Sequence, residues 1–340
     1  MKIKIHFIER KKSNSVSIEK VFRQIAKSLS PKKFETSFQQ LAYSNDVLGT
    51  LKNLLFYRRG QADIYHVTGH IHYIALVLPK RKTVLTIHDA GILHIRRGLR
   101  RYILKKILFD LPIKKLKYIT AVSEATKKEI VLWTNCEESK IRVIENPLQD
   151  CFSAVEKDEK KEFNAECPTL LQIGTTYNKN IPNLIKALNG INCRLVIVGE
   201  LSVEILELLK INRINYENKL GLNDSEIRNE YLKTDIVTFC STFEGFGLPV
   251  IEAQAMKTPV VTSNISPLKE VAGGAAALAE PSDFQSIGNE IRRLIMDKKH
   301  RETLVKRGLE NVERFQSKKI AEDYENLYRE ISEEIENSRK

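Results

Sequence analysis

The chain has little of what holds small secreted folds together. Its 340 residues contain five cysteines, Cys136, Cys151, Cys167, Cys193 and Cys240, an odd number with no C-x-x-C pair. That distribution excludes a disulfide framework and a zinc site, and reduced structural thiols are expected. No histidine lies near any of them in sequence, so a catalytic cysteine has no support. No apolar run is long enough to span a bilayer, although apolar residues make up 42% of the chain and suffice for packed cores. The stretch Met1-Lys2-Ile3-Lys4-Ile5-His6-Phe7-Ile8 has neither the apolar block nor the small-residue cleavage site of a signal peptide. It reads as a first strand, and a cytoplasmic location is expected. Internal repeats, low-complexity blocks and heptad seams are also missing.

What the chain does have is an uneven charge. Residues 1–150 carry 29 Lys+Arg against 13 Asp+Glu, whereas the remainder carries 26 against 30. A basic half beside a near-neutral half predicts that one domain faces an anionic partner. An acidic membrane surface, a pyrophosphate-linked acceptor and nucleic acid all satisfy that charge. Nucleic acid is the poorest fit, because neither a helix-turn-helix signal nor an interleaved aromatic-basic motif is present.

The length suits two domains. Strand-like and helix-like segments alternate throughout, the pattern of parallel sheets with crossover helices. In the first half the strands are expected over 63–67, 83–87, 118–122 and 141–144, with Ser123 capping a helix. The charged stretch from Ser153 to Cys167 lacks apolar periodicity and reads as a linker. Strands are then expected over 169–173, 194–198, 236–239 and 259–262. Asn223-Asp224-Ser225-Glu226 and Ser282-Asp283-Phe284-Gln285 resemble capping boxes. The expected division is a first domain over 1–155, a second over 156–317 and a final helix over 318–340.

Chemistry concentrates in the loop after strand 236–239. In an open parallel sheet, ligands bind beyond the carboxyl ends of the strands. Gly245 and Gly247 allow a tight bend and a close backbone approach. Pro249 suits the start of a helix, and the N–H groups of Gly245 to Leu248 then converge on its positive end, an anion seat. Glu244 stands in the loop, Glu252 is expected on the first helical turn, and Phe246 is expected to be exposed. Two carboxylates flanking an anion seat suit the two ends of a nucleotide-sugar, whose hydroxyls they can bind.

The run Ser241-Thr242-Phe243-Glu244-Gly245-Phe246-Gly247-Leu248-Pro249-Val250-Ile251-Glu252-Ala253 resembles the E-x7-E signature of glycosyltransferase family 4, retaining enzymes of the GT-B fold. Glu252-Ala253-Gln254-Ala255, Pro259-Val260-Val261-Thr262-Ser263, Glu270-Val271-Ala272-Gly273-Gly274 and Ile173-Gly174-Thr175-Thr176-Tyr177-Asn178-Lys179-Asn180 match in order and spacing. The resemblance implies two Rossmann-like domains facing across a cleft, the first on the acceptor side, the second binding the nucleotide-sugar, with the final helix packing back on the first. It implies transfer of a sugar from a nucleoside-diphosphate sugar to an acceptor hydroxyl with retention, in cell-surface polysaccharide or glycolipid assembly. Glu244 would bind the sugar, Glu252 the ribose and Lys179 the diphosphate, with Gly174 and Thr175 beside it. The arginine that many relatives carry after the glycine is replaced by Thr175 and Thr176. No D-x-D pair fits a metal-bound diphosphate, so neither metal nor cofactor is expected.

In the first half, His88 matches the family histidine that approaches the donor sugar. His66 and His70 are expected to contact the acceptor, a glycan or lipid-linked intermediate. Ser15, in the loop Ser13-Asn14-Ser15 where relatives often have glycines, is placed on the acceptor side too. The segment from Arg96 to Phe109 combines six cations with Leu99, Ile103 and Ile107, an amphipathic basic helix suited to the inner face of an anionic membrane. The alternatives to transfer are a GT-B nucleotide-sugar epimerase, which needs no acceptor, a phosphorylase, which needs free phosphate, and a basic nucleic-acid-binding protein.

Overall fold

A computed structural model describes residues 2–11, 17–152 and 162–338. The chain divides into two compact units, one of Met1–Pro147 with Gln316–Lys340, the other of Leu148–Phe315. The change of unit falls at Pro147/Leu148, ahead of the charged stretch, and not at 155.

Unit 1 runs β1 (Ile3–Glu9), α1 (Ser17–Ser28), β2 (Phe34–Gln40), α2 (Val47–Phe56), β3 (Ile64–Val67), a 3-10 segment His72–Val77 and β4 (Thr83–Ile87). It continues through α3 (Gly91–Ile95), α4 (Gly98–Lys105), a π-helical turn Lys106–Asp110, α5 (Leu111–Lys115), β5 (Tyr118–Ala121), α6 (Glu124–Thr134) and β6 (Ile141–Val143). Its six strands are parallel in the order β2-β1-β3-β4-β5-β6. The chain reverses direction across the sheet between β1 and β3. Right-handed crossovers then put α1 on one face and α2, the 72–77 segment and α3 to α6 on the other. Covering on both faces explains why β4 reads Thr-Val-Leu-Thr-Ile and is buried at every position. Ser123 caps α6 by accepting from the Thr126 N–H, and Asn135 ends it in the left-handed conformation.

Unit 2 repeats the plan with β7 (Thr169–Ile173), α7 (Ile181–Ala187), β8 (Arg194–Val198), α8 (Val203–Ile211), β9 (Tyr216–Lys219), α9 (Asp224–Lys233) and β10 (Ile236–Phe239). After it come α10 (Leu248–Ala255), β11 (Val260–Ser263), α11 (Leu268–Ala272), β12 (Ala277–Ala279), α12 (Phe284–Met296) and α13 (Lys298–Val312). The parallel order is β12-β11-β10-β7-β8-β9, with the reversal between β7 and β10. Asn223 and Glu226 form the capping box at α9, whereas α12 is capped by Asp283 alone, which accepts from the Gln285 N–H. Part of the expected linker belongs to this unit. Phe163 packs on its core under the Arg301 guanidinium, and the Asn164 N–H donates to Asp235 Oδ1 at 3.0 Å.

The last helix, α14 (Ser317–Asn337), belongs to unit 1 and packs on α1. Ile320, Tyr324, Leu327, Tyr328 and Ile331 form its buried stripe at helical spacing. Glu325 adds an acceptor for the Ser30 N–H at 2.6 Å.

Candidate functional site

In unit 2 the reversal of strand order brings the loops after β7 and β10 side by side, the position where open sheets bind ligands. Lys179 ends a single 3-10 turn, Tyr177–Lys179, that follows Gly174. Its stem lies over the glycine: a Cβ at Gly174, whose φ is +83°, would stand 3.0 Å from Lys179 Cε. The ammonium reaches Glu244 Oε1 at 2.6 Å and sits 4.5 Å from the centre of the Phe239 ring. Asn178 braces the same carboxylate, its amide donating to Glu244 Oε1 at 3.2 Å and to the Phe243 carbonyl at 2.9 Å. The Thr242 N–H returns a bond to the Asn178 carbonyl at 2.8 Å. Lysine has three donors, so one hydrogen bond to Glu244 leaves capacity for an anion.

Gly247 caps α10 at φ 112°, and no side chain caps that end. Pro249 carries no N–H and the Val250 N–H donates to the Gly247 carbonyl at 3.0 Å, which leaves the Leu248 N–H at the positive pole of the helix. A Cβ at Gly247 would lie 2.4 Å from Leu268 Cδ2, so only glycine fits. Pro249 is the second helical residue, and Glu252 is the fifth, one turn deeper than expected. Glu252 is nearly buried, and its Oε2 accepts from the Tyr231 hydroxyl at 2.7 Å. Phe246 is not exposed. It is 4% accessible and packs edge-on against Phe315, so its ring anchors the loop. Leu248 opens α10, and Gly245, among the donor-site candidates, needs no left-handed conformation. Of the two threonines that replace the arginine, Thr176 donates to Asn178 Oδ1 at 2.7 Å, while Thr175 lies against Gly199.

In unit 1, His88 follows β4 and His70 follows β3, its neighbour in the sheet. His88 is 6% accessible, its ring stands edge-on to Phe22, and its Nε2 has no hydrogen-bond partner among the described residues. Burial, reinforced by His70, His72, His66 and Arg10, holds its pKa well below 6.5. A neutral ring suits contact and polarisation rather than proton delivery. His70 is half-exposed, with Nε2 3.4 Å from Asp89 Oδ2. His66 has a different place from the expected acceptor contact. It is fully buried, with Nδ1 bonded to the Tyr328 hydroxyl at 2.6 Å and Nε2 to Thr86 Oγ1 at 2.7 Å. Both ring nitrogens are used inside the core, tying α14 to the sheet. Ser15 lies outside the described residues. Among the described residues no group of three or more His, Cys, Asp or Glu could hold a metal ion.

The family models match both halves. Residues 21–149 match "Glycosyltransferase Family 4" and residues 154–311 match "Glycosyl transferases group 1". The chain belongs to glycosyltransferase family 4. The family 4 chain is 26% identical over 224 residues to the O-antigen chain mannosyltransferase RfbU of Salmonella typhimurium, covering 63% of this chain and 61% of that protein. It is 29% identical over 247 residues to the capsular polysaccharide biosynthesis glycosyltransferase CapM of Staphylococcus aureus, covering 64% and 63%. The matches thus span less than two thirds of the length of these two relatives. Among solved structures, Anabaena HepE in complex with UDP-glucose superposes with a TM-score of 0.77 at 17% identity, over 98% of this chain and 100% of that one. The fold class is accordingly GT-B, with one six-stranded α/β sheet in each unit.

Two residues of the candidate site escape a reading of the sequence. Tyr231 reaches Glu252 from α9, and nothing in the spacing of the two signals that contact. Asn178 sits within a quoted motif, but its grip on both Phe243 and Glu244 is a property of the fold.

Proposed function

We propose that this chain is a retaining glycosyltransferase that moves a sugar from a nucleoside-diphosphate sugar to an acceptor hydroxyl in cell-surface polysaccharide or glycolipid assembly. The observation that carries the reading is the Lys179–Glu244 pair beside the uncapped start of α10. Lys179 and the start of α10 take the diphosphate, Glu244 the sugar hydroxyls and Glu252 the ribose. The bond between the anomeric carbon and the phosphate oxygen breaks, the acceptor oxygen attacks on the same face, and its proton passes to the departing diphosphate. The protein contributes positioning and charge stabilisation of the leaving group, without a metal. The relatives' work on O-antigen and capsule supports a glycan or lipid-linked acceptor, and HepE's UDP-glucose supports a nucleoside-diphosphate donor.

The basic N-terminal half brings the enzyme to the inner face of the membrane, where each cation near anionic lipid adds about 1 kcal/mol. Among the described residues no helix is long and apolar enough to cross a bilayer. Nucleic acid is not a partner in this reading.

The test is a thermal-shift screen against UDP-, GDP- and ADP-sugars, followed by a transfer assay with the stabilising donor. The product should keep the donor's anomeric configuration, and Glu244→Ala and Lys179→Ala should each abolish transfer while the fold persists. Full transfer by both variants would overturn the site. Turnover without any acceptor would make the protein an epimerase, and a requirement for free phosphate would make it a phosphorylase.

A further inference from the structure

Helix α2 is built inside out. Its inward residues include Gly49 and Asn53, while Val47, Leu48, Leu51, Leu55 and Phe56 point outward with 78, 70, 51, 76 and 65% exposure. Asn53 is a buried polar anchor. Its amide donates to the Tyr43 carbonyl at 3.1 Å and to the Tyr73 hydroxyl at 3.0 Å, and its Oδ1 accepts from the Tyr43 N–H at 3.2 Å. The helix is thus fixed to the domain by this polar side chain and by Leu54, which packs on the core, while most of its apolar surface is left in solvent. A cluster of this kind marks a contact with a partner or a membrane.

Helix α4 shares that side of the sheet. α2 packs against the 72–77 segment, and that segment packs against the π turn that continues α4. No residue of α4 is buried. Leu99 and Tyr102 are 72 and 63% exposed, and Ile95 just before them is 72% exposed. The charge around both helices is predominantly positive, with Asp46 capping α2 and Asp110 pairing with Lys105 at 2.7 Å as the acids beside them. Residues 47–62 and 91–109 together hold Lys52, Arg58, Arg59 and six further cations, with no Asp or Glu.

We propose that α2 and α4 form one membrane-docking face. Leu48, Leu51, Leu55 and Phe56 of α2 sink beside Leu99 and Tyr102 of α4 into the headgroup-acyl boundary of an anionic bilayer, with the cations at headgroup level. This rests on the membrane contact of the preceding section and adds a second, apolar element to it. The charge chooses the occupant. A second copy docked on this face would set one net-positive surface against another, whereas an anionic bilayer is attracted by the cations that Asp46 and Asp110 leave in excess.

Flotation of the full chain with equimolar phosphatidylglycerol–phosphatidylcholine vesicles tests it. The wild type should float, and Leu51→Ser/Leu55→Ser/Phe56→Ser should lose roughly tenfold or more in partitioning. These residues are solvent-exposed, so thermal melting and the donor-induced thermal shift should stay unchanged. Arg100→Glu/Arg101→Glu serves as the charge control. Loss of flotation in the charge variant but not in the α2 variant overturns the role of α2 while leaving basic membrane contact in place. Failure of the wild type to float overturns both. A dimer in solution that the α2 variant converts to monomer assigns the face to a second copy and overturns the proposal.

Discussion

The Tyr231 hydroxyl donates to Glu252 Oε2 across 2.7 Å, joining α9 to α10 inside unit 2. Tyr231 is fully buried, and Phe152 packs edge-on against its ring. Burial first, and then the Glu252 charge, hold its pKa well above 10, so the hydroxyl stays protonated and remains a donor. Tyr231 therefore positions the Glu252 carboxylate, the group proposed above to bind the ribose. Tyr231→Phe keeps the packing and removes the hydrogen bond. The donor Kd and KM should rise roughly tenfold, about 1.4 kcal/mol, with kcat little changed. A proportional fall in kcat at constant KM would contradict that role.

Lys179 and Glu244 are a pair with 17 and 13% of their side-chain surfaces exposed. Removing one partner of a pair so shielded leaves the other without compensation, a larger loss than removing both. Glu244→Gln and Lys179→Met should each lower stability by roughly 1–3 kcal/mol in urea denaturation. The double variant should recover part of that loss. Transfer should fall at least about a hundredfold in all three, through loss of the proposed sugar contact at Glu244, of the leaving-group cation at Lys179, or of both. If the double variant is as destabilised as the sum of the singles, the two side chains are not coupled.

Gly247 combines φ 112° with a close neighbour, Leu268 Cδ2, 2.4 Å from where a Cβ would stand. Gly247→Ala should cost roughly 1–3 kcal/mol of stability from the backbone alone and displace the first turn of α10. Adding Leu268→Ala relieves the clash but not the strain. Donor affinity should therefore stay weakened in the double variant. Wild-type affinity in Gly247→Ala would show that the start of α10 takes no part in donor binding.

The sequence is legible where burial is two-sided and local. Strands such as β4 and β8 read as apolar runs because helices cover both faces of each sheet, and the α9 capping box depends only on four adjacent residues. Three features are illegible for physical reasons. β9, Tyr216–Lys219, is a polar edge strand that nothing but its neighbour β8 specifies. α2 departs from the usual pattern, because Asn53 faces in while Leu48, Leu51 and Leu55 face out and Leu54 alone of its leucines packs on the core. His66 resembles a site residue at a strand end. Phe7, Phe22, Tyr324 and Tyr328 bury it, the last two on the final helix with Tyr328 262 positions away, and no local pattern reports those contacts.

Unit 1 buries three histidines near the carboxyl ends of β3 and β4, and their protonation couples folding to pH. Burial lowers His66 and His72 to about 3, and His88 also lies well below 6.5. For His72 the Nδ1–H donates to the Leu108 carbonyl at 2.9 Å, while Nε2 has no partner among the described residues. All three are neutral when folded and take up a proton in the unfolded chain below 6.5. The unfolded state then binds more protons, so the stabilisation is complete above 6.5 and is lost as pH falls toward 3. Each histidine contributes a slope of about 1.4 kcal/mol per pH unit within that window. Glu9 and Glu129, whose pKa values burial raises, act in the opposite sense, so the effect is isolated by comparing variants. In urea denaturation from about pH 7 to about pH 5, His72→Gln should flatten the decline by roughly one histidine's slope. An unchanged slope in that variant would mean that His72 titrates normally in the folded protein.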